Sequence, residues 1–357
     1  MANRKYKLCI VGFGTVGGGF AEQLANKKET LQQRYGLKFE VIAIADKHLG
    51  SIYDAKGIKL PKAIELAKQW ELNILEDEYD APEKGWNSVK TIKKAEADIV
   101  VEATWTDLVT GEPGLTHIKT ALKQGKHVIT SNKGPCAVAY DEVKRLAEKN
   151  EAYLRFEGTV LAGTPALSFI RENLAGCEIK RIKGIVNGTT NYILTKMERE
   201  EWSFDKALKK AQELGYAEED PSTDIDGWDA AGKASILSKV VFGGDISPQE
   251  VNRTGIRDID KEDIKETKEE GKRIKLIANV DKEGGKVKAS VKPEEISKKQ
   301  LLAQVMGTTN ALLIRTDHLG QVIVSGPGAG KGETGQALLN DLLTIHRYST
   351  KGRDIYA

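Results

Sequence analysis

Alternating apolar and polar stretches divide the first 150 residues into strands and helices. Short β-rich runs, "KLCIV", "KFEVIAIAD", "ADIVVEAT" and "GKHVITSN", are separated by segments with apolar residues at helical spacing. The first helix runs to about Arg34, and Gly36 suits the left-handed conformation that follows it. This β-α-β alternation predicts a doubly wound parallel sheet covered by helices, in an α/β domain over residues 1–150.

From about residue 151 the pattern indicates paired strands. The segments "EAYLRFEGTV" and "CEIKRIKGIVNG" are typical of strands, with a helix near 165–174 between them and one long helical stretch over 190–214 after them. Later, "RIKLIANVDKEGGKVKASV" and "ALLIRTDHLGQVIVSG" each contain two strands around a short turn, which predicts antiparallel pairing. Residues 258–273 form either a solvated helix or a linker.

The end of the chain, "GPGAGKGETGQALLNDLL", is again a glycine loop followed by a helix. We expect it to fold back and to complete the first domain with about residues 325–357, which leaves 151–324 as a second region. Two domains are also expected from the length, because 357 residues exceed one typical hydrophobic core.

Composition narrows the class of protein. Apolar residues make up 40% and charged residues 30% of the chain, as in an ordinary soluble protein. The 54 basic and 52 acidic residues nearly balance, which argues against a nucleic-acid partner. No apolar run approaches the roughly 18 residues that cross a membrane. The start, "MANRKYKLCIVGFG", predicts a strand and not a secretory leader.

Cysteine and histidine usage argues against a metal centre. Cys9, Cys136 and Cys177 have no disulfide framework or metal-ligand spacing, and the five histidines are scattered. A catalytic transition metal is therefore not expected. The reducing cytoplasm is the simplest location for such a chain.

A glycine fingerprint follows the first strand. Gly12, Gly14 and Gly17 form G-x-G-x-x-G, a helix follows, and the next strand ends in Asp46. The glycines allow a tight turn, the approach of a pyrophosphate and close helix–strand packing, and the phosphates meet the helix amides. This Rossmann-type order predicts a dinucleotide site, whereas the alternative is a glycine-rich turn without a ligand. Thr104 and "SNKGP" follow later strands, where ligands of such sheets bind.

A second signal is the stretch "DGWDAAGKASILSKVV". As a helix it has Lys233 and Asp229 at the edge of an apolar stripe formed by Ala230, Ala234, Leu237 and Val241. One interpretation is structural: Asp226-x-x-Asp229 is a capping box, and Asp229 and Lys233 form an i,i+4 surface pair. The functional interpretation is that partial desolvation suits Lys233 to exchanging a proton.

Further charged residues indicate the reaction class. Lys133 directly follows a buried strand, where a nicotinamide ring should lie, or it simply flanks the strand. The approach to Lys233 is acidic, either as a solvated loop or as a pocket for an ammonium group: Glu218, Glu219, Asp220, Asp224, Asp226 and Asp229. A cofactor, a proton-donating lysine and carboxylates able to hold an amine suggest reduction of a carbonyl on an amino-acid skeleton, or the reverse oxidation.

Six motifs in this order resemble the homoserine dehydrogenase family: "GFGTVGGG", "TSNKGP", "EGTVLAGTP", "VNGTTNYIL", "GYAEEDPSTDIDGWDAAGK" and "GPGAG". The resemblance implies a nucleotide-binding domain, together with a dimerisation and a catalytic region on a mixed sheet, here α+β over 151–324. It implies a homodimer that interconverts L-aspartate 4-semialdehyde and L-homoserine with NAD(P)H, on the route to threonine, methionine and isoleucine.

The resemblance also implies roles for individual residues. Lys233 donates the proton, and Lys133 binds cofactor and polarises the carbonyl. The substrate is held by Glu218, Asp224, Asp229, Gly188 and Thr189. The cofactor is bound by Gly12, Phe13, Gly14, Thr15, Val16, Gly17, Asp46, Lys47, Thr104 and Gly330, beside Lys133. A structural Na⁺ or K⁺ is held by carbonyls of Glu157, Val160, Ala162 and Thr164.

The residues allow more than one cofactor and more than one reaction class. Asp46 favours a free ribose 2′-hydroxyl and Lys47 a 2′-phosphate, with NADP slightly preferred over NAD. Only 27 residues follow Gly330, so the short form without a kinase or a regulatory (ACT) domain is expected. The alternatives are a dehydrogenase of the aspartate or diaminopimelate type, and a non-catalytic dinucleotide-sensing protein.

Overall fold

A computed structural model describes residues 5–349 of the chain. The chain divides into two compact units, one formed by Met1–Thr159 with Gly330–Ala357 and the other by Val160–Ala329. Among the described residues, no helix combines the length and the apolar character needed to cross a membrane.

The first unit is built on a seven-stranded sheet in the order β4-β3-β2-β1-β5-β6-β7. Its strands are β1 (Lys5–Val11), β2 (Lys38–Asp46), β3 (Gly50–Tyr53), β4 (Glu83–Lys84), β5 (Ile99–Glu102), β6 (His127–Thr130) and β7 (Leu154–Arg155). Its helices are α1 (Thr15–Tyr35), α2 (Leu60–Ala67), α3 (Ile74–Glu78), α4 (Ser88–Lys94), α5 (Gly114–Leu122), α6 (Lys133–Val138), α7 (Tyr140–Lys149) and, last in the chain, α14 (Lys331–Ser349).

Five neighbouring strands of this sheet are parallel. β1 lies between β2 and β5, and β6 and β7 continue the parallel order. Leu8 to Val11 and Ile99 to Val101 are fully buried, as expected of strands covered on both faces. The predicted doubly wound sheet is therefore confirmed. The antiparallel strands β3 and β4 were not predicted; β4, Glu83–Lys84, is too short and polar to give a strand pattern.

The last helix packs against the first. At Gly19 an added Cβ would lie 2.5 Å from the carbonyl oxygen of Lys331, and at Gly335 it would lie 2.8 Å from the carbonyl carbon of Gly19. Only glycine at these two positions allows α1 and α14 to approach so closely. The predicted closing segment also includes residues 350–357, which lie outside the described residues.

The second unit has a six-stranded sheet in the order β13-β12-β8-β10-β11-β9. Its strands are β8 (Ile179–Ile185), β9 (Asn252–Arg253), β10 (Lys272–Glu283), β11 (Lys286–Ser297), β12 (Thr309–Thr316) and β13 (Gln321–Pro327). Both predicted hairpins, β10–β11 and β12–β13, are antiparallel, whereas β9 runs parallel to β11. The sheet is mixed, as the resemblance implies.

Helices accompany this sheet. They are α8 (Gly158–Leu161, at the boundary of the units in the chain), α9 (Gly188–Glu200), α10 (Phe204–Glu213), α11 (Ser222–Ile225), α12 (Trp228–Phe242), α13 (Lys261–Glu269), a π-helix (Phe169–Asn173) and a 3₁₀ helix (Leu301–Gln304). The segment 258–273 thus contains a helix, and its N-terminus carries a capping box between Asp260 and Asp263.

Two predictions of elements were wrong. The helical stretch 190–214 is two helices, because Glu201 adopts a left-handed φ of 53° and Ser203 caps the second helix by accepting from the amide of Lys206. The strand predicted at 151–160 is only Leu154–Arg155, since the chain turns into α8 four residues after it begins. In both cases the apolar pattern of the sequence continues past a point at which the chain makes a local turn, so the pattern alone does not show where the element ends.

A buried lysine in β10 predicts a pH-dependent stability of the second unit. Lys275 is 1% exposed, and its Nζ donates to the carbonyl of Val305 at 2.7 Å and to Oδ1 of Asn191 at 2.8 Å. Burial lowers the pKa of this ammonium to about 7, partly offset by the negative charge of Glu198.

We expect the free energy of unfolding to rise with pH between about 7 and the ordinary lysine value of 10.5. In that range the unfolded chain still binds the Lys275 proton and the folded chain does not, a difference of about 5 kcal/mol in total. Urea unfolding across the range should show that Lys275→Met loses this rise, while Lys272→Met, on the same strand, keeps it. Parallel pH curves for the parent chain and Lys275→Met would contradict the assignment.

Candidate active site

The glycine turn after β1 has the geometry of a dinucleotide cradle. Gly12 has a φ of 86°, and an added Cβ would lie 2.5 Å from the carbonyl oxygen of Ala103. At Gly17 it would lie 1.9 Å from the carbonyl oxygen of Gly12. The turn leads directly into Thr15 and the 21-residue helix α1. Because the Phe13 side chain is buried, only its backbone can face a ligand.

Asp46, at the end of β2, is tied to this turn. Its Oδ2 accepts from the amide of Phe13 at 2.7 Å, and its Oδ1 accepts from the amides of His48 and Leu49 at 2.8 and 3.0 Å. The carboxylate is therefore held at the carboxyl end of the parallel sheet. That is where the fingerprint places the acid that contacts a ribose.

A cavity of about 980 Å³ opens beside these residues within the first unit. Its lining includes the predicted cofactor residues Gly12, Gly14, Asp46, Lys47 and Thr104. The volume and the cradle fit a dinucleotide, which would bring a nicotinamide ring for hydride chemistry.

Two exposed tryptophans also form part of the cavity wall. The Trp70 ring stacks on His48 with centroids 4.9 Å apart, and Lys47 Nζ lies 5.2 Å from the centroid of Trp105. Trp70 also has a left-handed φ of 54°, which is unusual for a bulky residue. No local motif predicts either position, since the loops meet only in the folded domain.

Lys133 and Thr104 follow two neighbouring parallel strands, β6 and β5, so they lie at the same edge of the sheet. Lys133 is half-buried and begins α6. Asn132 caps that helix by accepting from the amide of Gly134 at 3.0 Å, and its Nδ2 donates to the carbonyl of Trp105 at 2.8 Å. The start of α6 is thereby joined to the turn after β5.

In the second unit, Lys233 is buried and paired. Its Nζ lies 2.7 Å from Oδ2 of Asp229 and donates to the carbonyl of Val186 at 2.6 Å, and the residue is 7% exposed. Every residue of α12 from Ala230 to Lys239 is buried, although Val241 is only half-buried. The surface-pair interpretation is therefore wrong.

The capping-box interpretation is also wrong. The N-cap of α12 is Gly227, in a left-handed conformation, without a side-chain cap. Asp226 instead forms an ion pair with Arg257, with one contact from Nη2 to Oδ2 at 3.2 Å. Asp229 is thus left to act on Lys233 one turn further along the helix.

Asn187 connects the two carboxylates of this site. Its Nδ2 donates to Oδ1 of Asp224 at 2.7 Å and to Oδ2 of Asp229 at 3.0 Å, while its Oδ1 caps α9 through the amide of Thr190 at 2.9 Å. Burial raises the pKa of Asp224, and the charge of Asp229 raises it further. Asn187 was missed, although an asparagine before a helix is a recognisable cap signal.

The other predicted substrate residues differ in their surroundings. Gly188 begins α9, where an added Cβ would lie 2.9 Å from the carbonyl oxygen of Thr308. Thr189 Oγ1 donates to the carbonyl of Tyr216 at 2.6 Å. Glu218 is exposed in the turn that precedes α11. The structure therefore brings Asp224 and Asp229 together with Lys233 but leaves Glu218 on the surface.

The four predicted cation ligands lie within eight residues of one another in the chain, and a left-handed turn falls among them. Ala162 has a left-handed φ of 47°, the amide of Thr164 donates to the carbonyl of Leu161 at 3.0 Å, and the amide of Glu157 donates to Asp341 at 2.9 Å. Residues 5–349 contain no group of three or more histidine, cysteine or acidic side chains that could hold a metal, but the predicted site uses main-chain carbonyls.

Gly330, the last predicted cofactor residue, has a φ of 134° and directly precedes α14. Its carbonyl accepts from the amide of Thr334 in the first turn of that helix at 3.0 Å. It therefore lies at the N-terminal end of a helix that belongs to the nucleotide-binding unit.

Comparisons with known proteins agree with this arrangement. The family model "Homoserine dehydrogenase, NAD binding domain" matches residues 12–157, and the model "Homoserine dehydrogenase" matches 165–343. Homoserine dehydrogenase of Methanocaldococcus jannaschii is 42% identical, over 96% of this chain and 99% of that protein. The NAD(+)-dependent homoserine dehydrogenase of Pseudomonas canavaninivorans is 36% identical, over 98% and 99%.

Solved structures give the same result. The crystal structure of a putative homoserine dehydrogenase from Archaeoglobus fulgidus is 40% identical with a TM-score of 0.84, covering 95% of this chain and 99% of that one. A hyperthermophilic archaeal homoserine dehydrogenase in complex with NADPH is 37% identical with a TM-score of 0.82, covering 96% and 99%. The chain is an NAD(P)-dependent oxidoreductase and belongs to the homoserine dehydrogenase family.

Proposed function

We propose that this chain interconverts L-aspartate 4-semialdehyde and L-homoserine, and that Lys233 moves the proton. The observation that carries the proposal is the buried Lys233 ammonium, aimed by Asp229 and by the carbonyl of Val186. A nicotinamide cofactor, when bound, would supply hydride chemistry at the aldehyde carbon. Lys233 then gives a proton to the carbonyl oxygen as negative charge develops there, and it takes the proton back in the reverse reaction.

The acidic side chains near Lys233 are proposed to hold the substrate. Asp224 and Asp229 share the Nδ2 group of Asn187, so two carboxylates converge on one point and favour a cationic ligand such as the substrate ammonium. Gly188 and Thr189, at the start of α9, would complete this pocket. Glu218 is proposed to join it from the preceding turn.

The nucleotide-binding unit is proposed to hold NAD(P) along the glycine turn. The backbone of Phe13 and the first residues of α1, Thr15 and Val16, would meet the pyrophosphate, and Gly330 would contact the cofactor from the start of α14. Lys133 would bind the cofactor and polarise the carbonyl. NADP is the preferred cofactor in this proposal because Lys47 lines the cavity beside Asp46 and can pair with a 2′-phosphate.

We expect Lys47→Ala to raise the KM for NADPH by at least about fivefold while changing that for NADH by less than about twofold. Only NADPH carries the phosphate that the ammonium would neutralise. Lys62→Ala is a matched control, because Lys62 also lies over an aromatic ring, that of Tyr79, but outside the cavity. An unchanged ratio of the two KM values would show that this loop does not select the cofactor.

The proposal also includes an oligomeric state, a structural cation and a cellular location. A homodimer is proposed by analogy with the family, and a structural Na⁺ or K⁺ is proposed at the carbonyls of Glu157, Val160, Ala162 and Thr164, which the left-handed turn at Ala162 supports. The cytoplasm is proposed because the three cysteines, Cys9, Cys136 and Cys177, are not joined in disulfides.

The experiment that tests the function is an assay of substrate-dependent NAD(P)H oxidation. We expect oxidation with L-aspartate 4-semialdehyde and none with oxaloacetate plus ammonia, the substrates of a dehydrogenase of the aspartate type. Cofactor binding without turnover would favour the non-catalytic sensing protein instead.

A further inference from the structure

The buried carboxylate of Glu102 has no part in the reaction described above. Glu102 is the last residue of β5, and its exposed fraction is 0%. A carboxylate in such a position needs hydrogen-bond donors, which here come from the turn after β5 and the end of β6, and a third segment, α5, contacts it. Each of these segments either lines the proposed cofactor cavity or is hydrogen-bonded to residues next to it.

One set of contacts fixes the turn after β5. Oε1 of Glu102 accepts from the amide of Thr104 at 3.1 Å and makes a short hydrogen bond with Thr104 Oγ1. Thr104 and Trp105 line the cavity, and the carbonyl of Trp105 accepts from Asn132. The carboxylate thus holds one wall of the cavity from inside the protein.

A second set leads to Lys133. Oε2 of Glu102 accepts from Thr130 Oγ1 at 3.0 Å, and that hydroxyl accepts from the amide of Asn132 at 3.0 Å. Asn132 in turn caps α6 through the amide of Gly134, and Lys133 is the first residue of that helix. Three successive hydrogen bonds therefore connect Glu102 with the start of α6.

A third contact comes from helix α5. Nδ1 of His117 lies 3.5 Å from Oε1 of Glu102, and His117 Nε2 lies 2.7 Å from Ser88 Oγ. His117 is 3% exposed, and it lines the same cavity together with Ser88. The carboxylate therefore joins α5, the end of β5 and the end of β6 at one point.

We propose that Glu102 is a positioning residue for the proposed reaction. It holds Lys133 and the Thr104–Trp105 turn in a fixed relation to each other, through Thr130 and Asn132, without touching the cofactor. The inference depends on the proposed role of Lys133. It predicts that disturbing Glu102 or Thr130 slows catalysis by displacing Lys133.

The test is a set of double-mutant cycles on the full-length chain. Thr130→Val and Glu102→Gln are made alone, together, and each in the Lys133→Ala background, and kcat, KM for NAD(P)H and the thermal unfolding midpoint are measured. Thr120→Val is the matched control, because the Thr120 hydroxyl donates only within α5, to the carbonyl of Thr116.

We expect Thr130→Val and Glu102→Gln each to lower kcat by about tenfold or more, and the double variant to be no worse than the more impaired single variant by more than about twofold. In the Lys133→Ala background each should lower kcat by less than about threefold, since the residue they position is gone. Thr120→Val should leave the kinetics unchanged.

The Lys133→Ala background separates a failure of the Glu102 inference from a failure of the role proposed for Lys133. If Lys133→Ala is impaired but the other substitutions keep their full effect in its background, Glu102 does not act through Lys133 and this inference fails alone. If Lys133→Ala has unaltered kinetics, the proposed role of Lys133 fails and takes the inference with it. Should Glu102→Gln not fold, Thr130→Val carries the same comparison, because it removes one hydroxyl and keeps the carboxylate.

Discussion

Replacing Lys233 by alanine is expected to lower kcat by about a thousandfold while the Kd for NAD(P)H changes by less than about threefold. The loss is large because the side chain supplies a proton at the oxygen where charge develops, and the neighbouring Asp229 cannot supply it while ionised. Asp229 keeps its hydrogen bond from Asn187, so the fold should survive the substitution. Steady-state kinetics and a cofactor titration give the two quantities.

The same helix offers a matched control. Lys239 is also 7% exposed and pairs with a carboxylate, that of Asp245, but it lies almost two turns from Lys233. Lys239→Ala should leave kcat within about threefold of the parent chain, whatever it does to stability. A loss below about tenfold in Lys233→Ala would count against the role assigned to this lysine.

The second large effect is expected at Asp229. Asp229→Asn should lower kcat by about ten- to a hundredfold, because the charge-assisted contact that aims the Lys233 ammonium is replaced by a weaker, neutral one. The substitution also removes a negative charge next to Asp224, so the pKa of Asp224 should fall towards its ordinary value. Kinetics and carboxylate titration by NMR measure the two effects.

Asp226→Asn is the matched control, since Asp226 lies three residues earlier and its carboxylate pairs with Arg257 instead. It should leave kcat nearly unchanged. Equal losses in the two variants would mean that Asp229 acts only as one of several negative charges in this segment, and not through its contact with Lys233.

Much of the nucleotide-binding unit can be predicted from the sequence because its signals are local. A strand, a glycine turn, a helix and an acid follow one another in the chain, and the structure has them at Lys5–Val11, Gly12, Thr15–Tyr35 and Asp46. The functional interpretation of Lys233 is likewise local, because its burial follows from the apolar residues one turn before and after it. Local periodicity therefore accounts for the parallel strands of the sheet and for the helix that carries Lys233.

The contacts that give the site its geometry cannot be predicted in this way. Asn187 reaches Asp224 and Asp229 across 37 and 42 residues of chain, and Glu102 reaches Thr130 across 28. Such partners are brought together by strand order and not by spacing. The left-handed residues Trp70 and Glu201 are a second case, because bulky or charged side chains rarely adopt this conformation and no sequence pattern marks it in advance.

A single-turnover measurement with enzyme already loaded with NADPH tests whether Lys233 moves the proton. Mixing with L-aspartate 4-semialdehyde and following nicotinamide absorbance isolates the chemical step from cofactor binding and product release. We predict that Lys233→Ala oxidises NADPH at least about a hundredfold more slowly than the parent chain, while Lys239→Ala matches it. A single-turnover rate in Lys233→Ala equal to that of the parent chain would contradict the claim that Lys233 moves the proton.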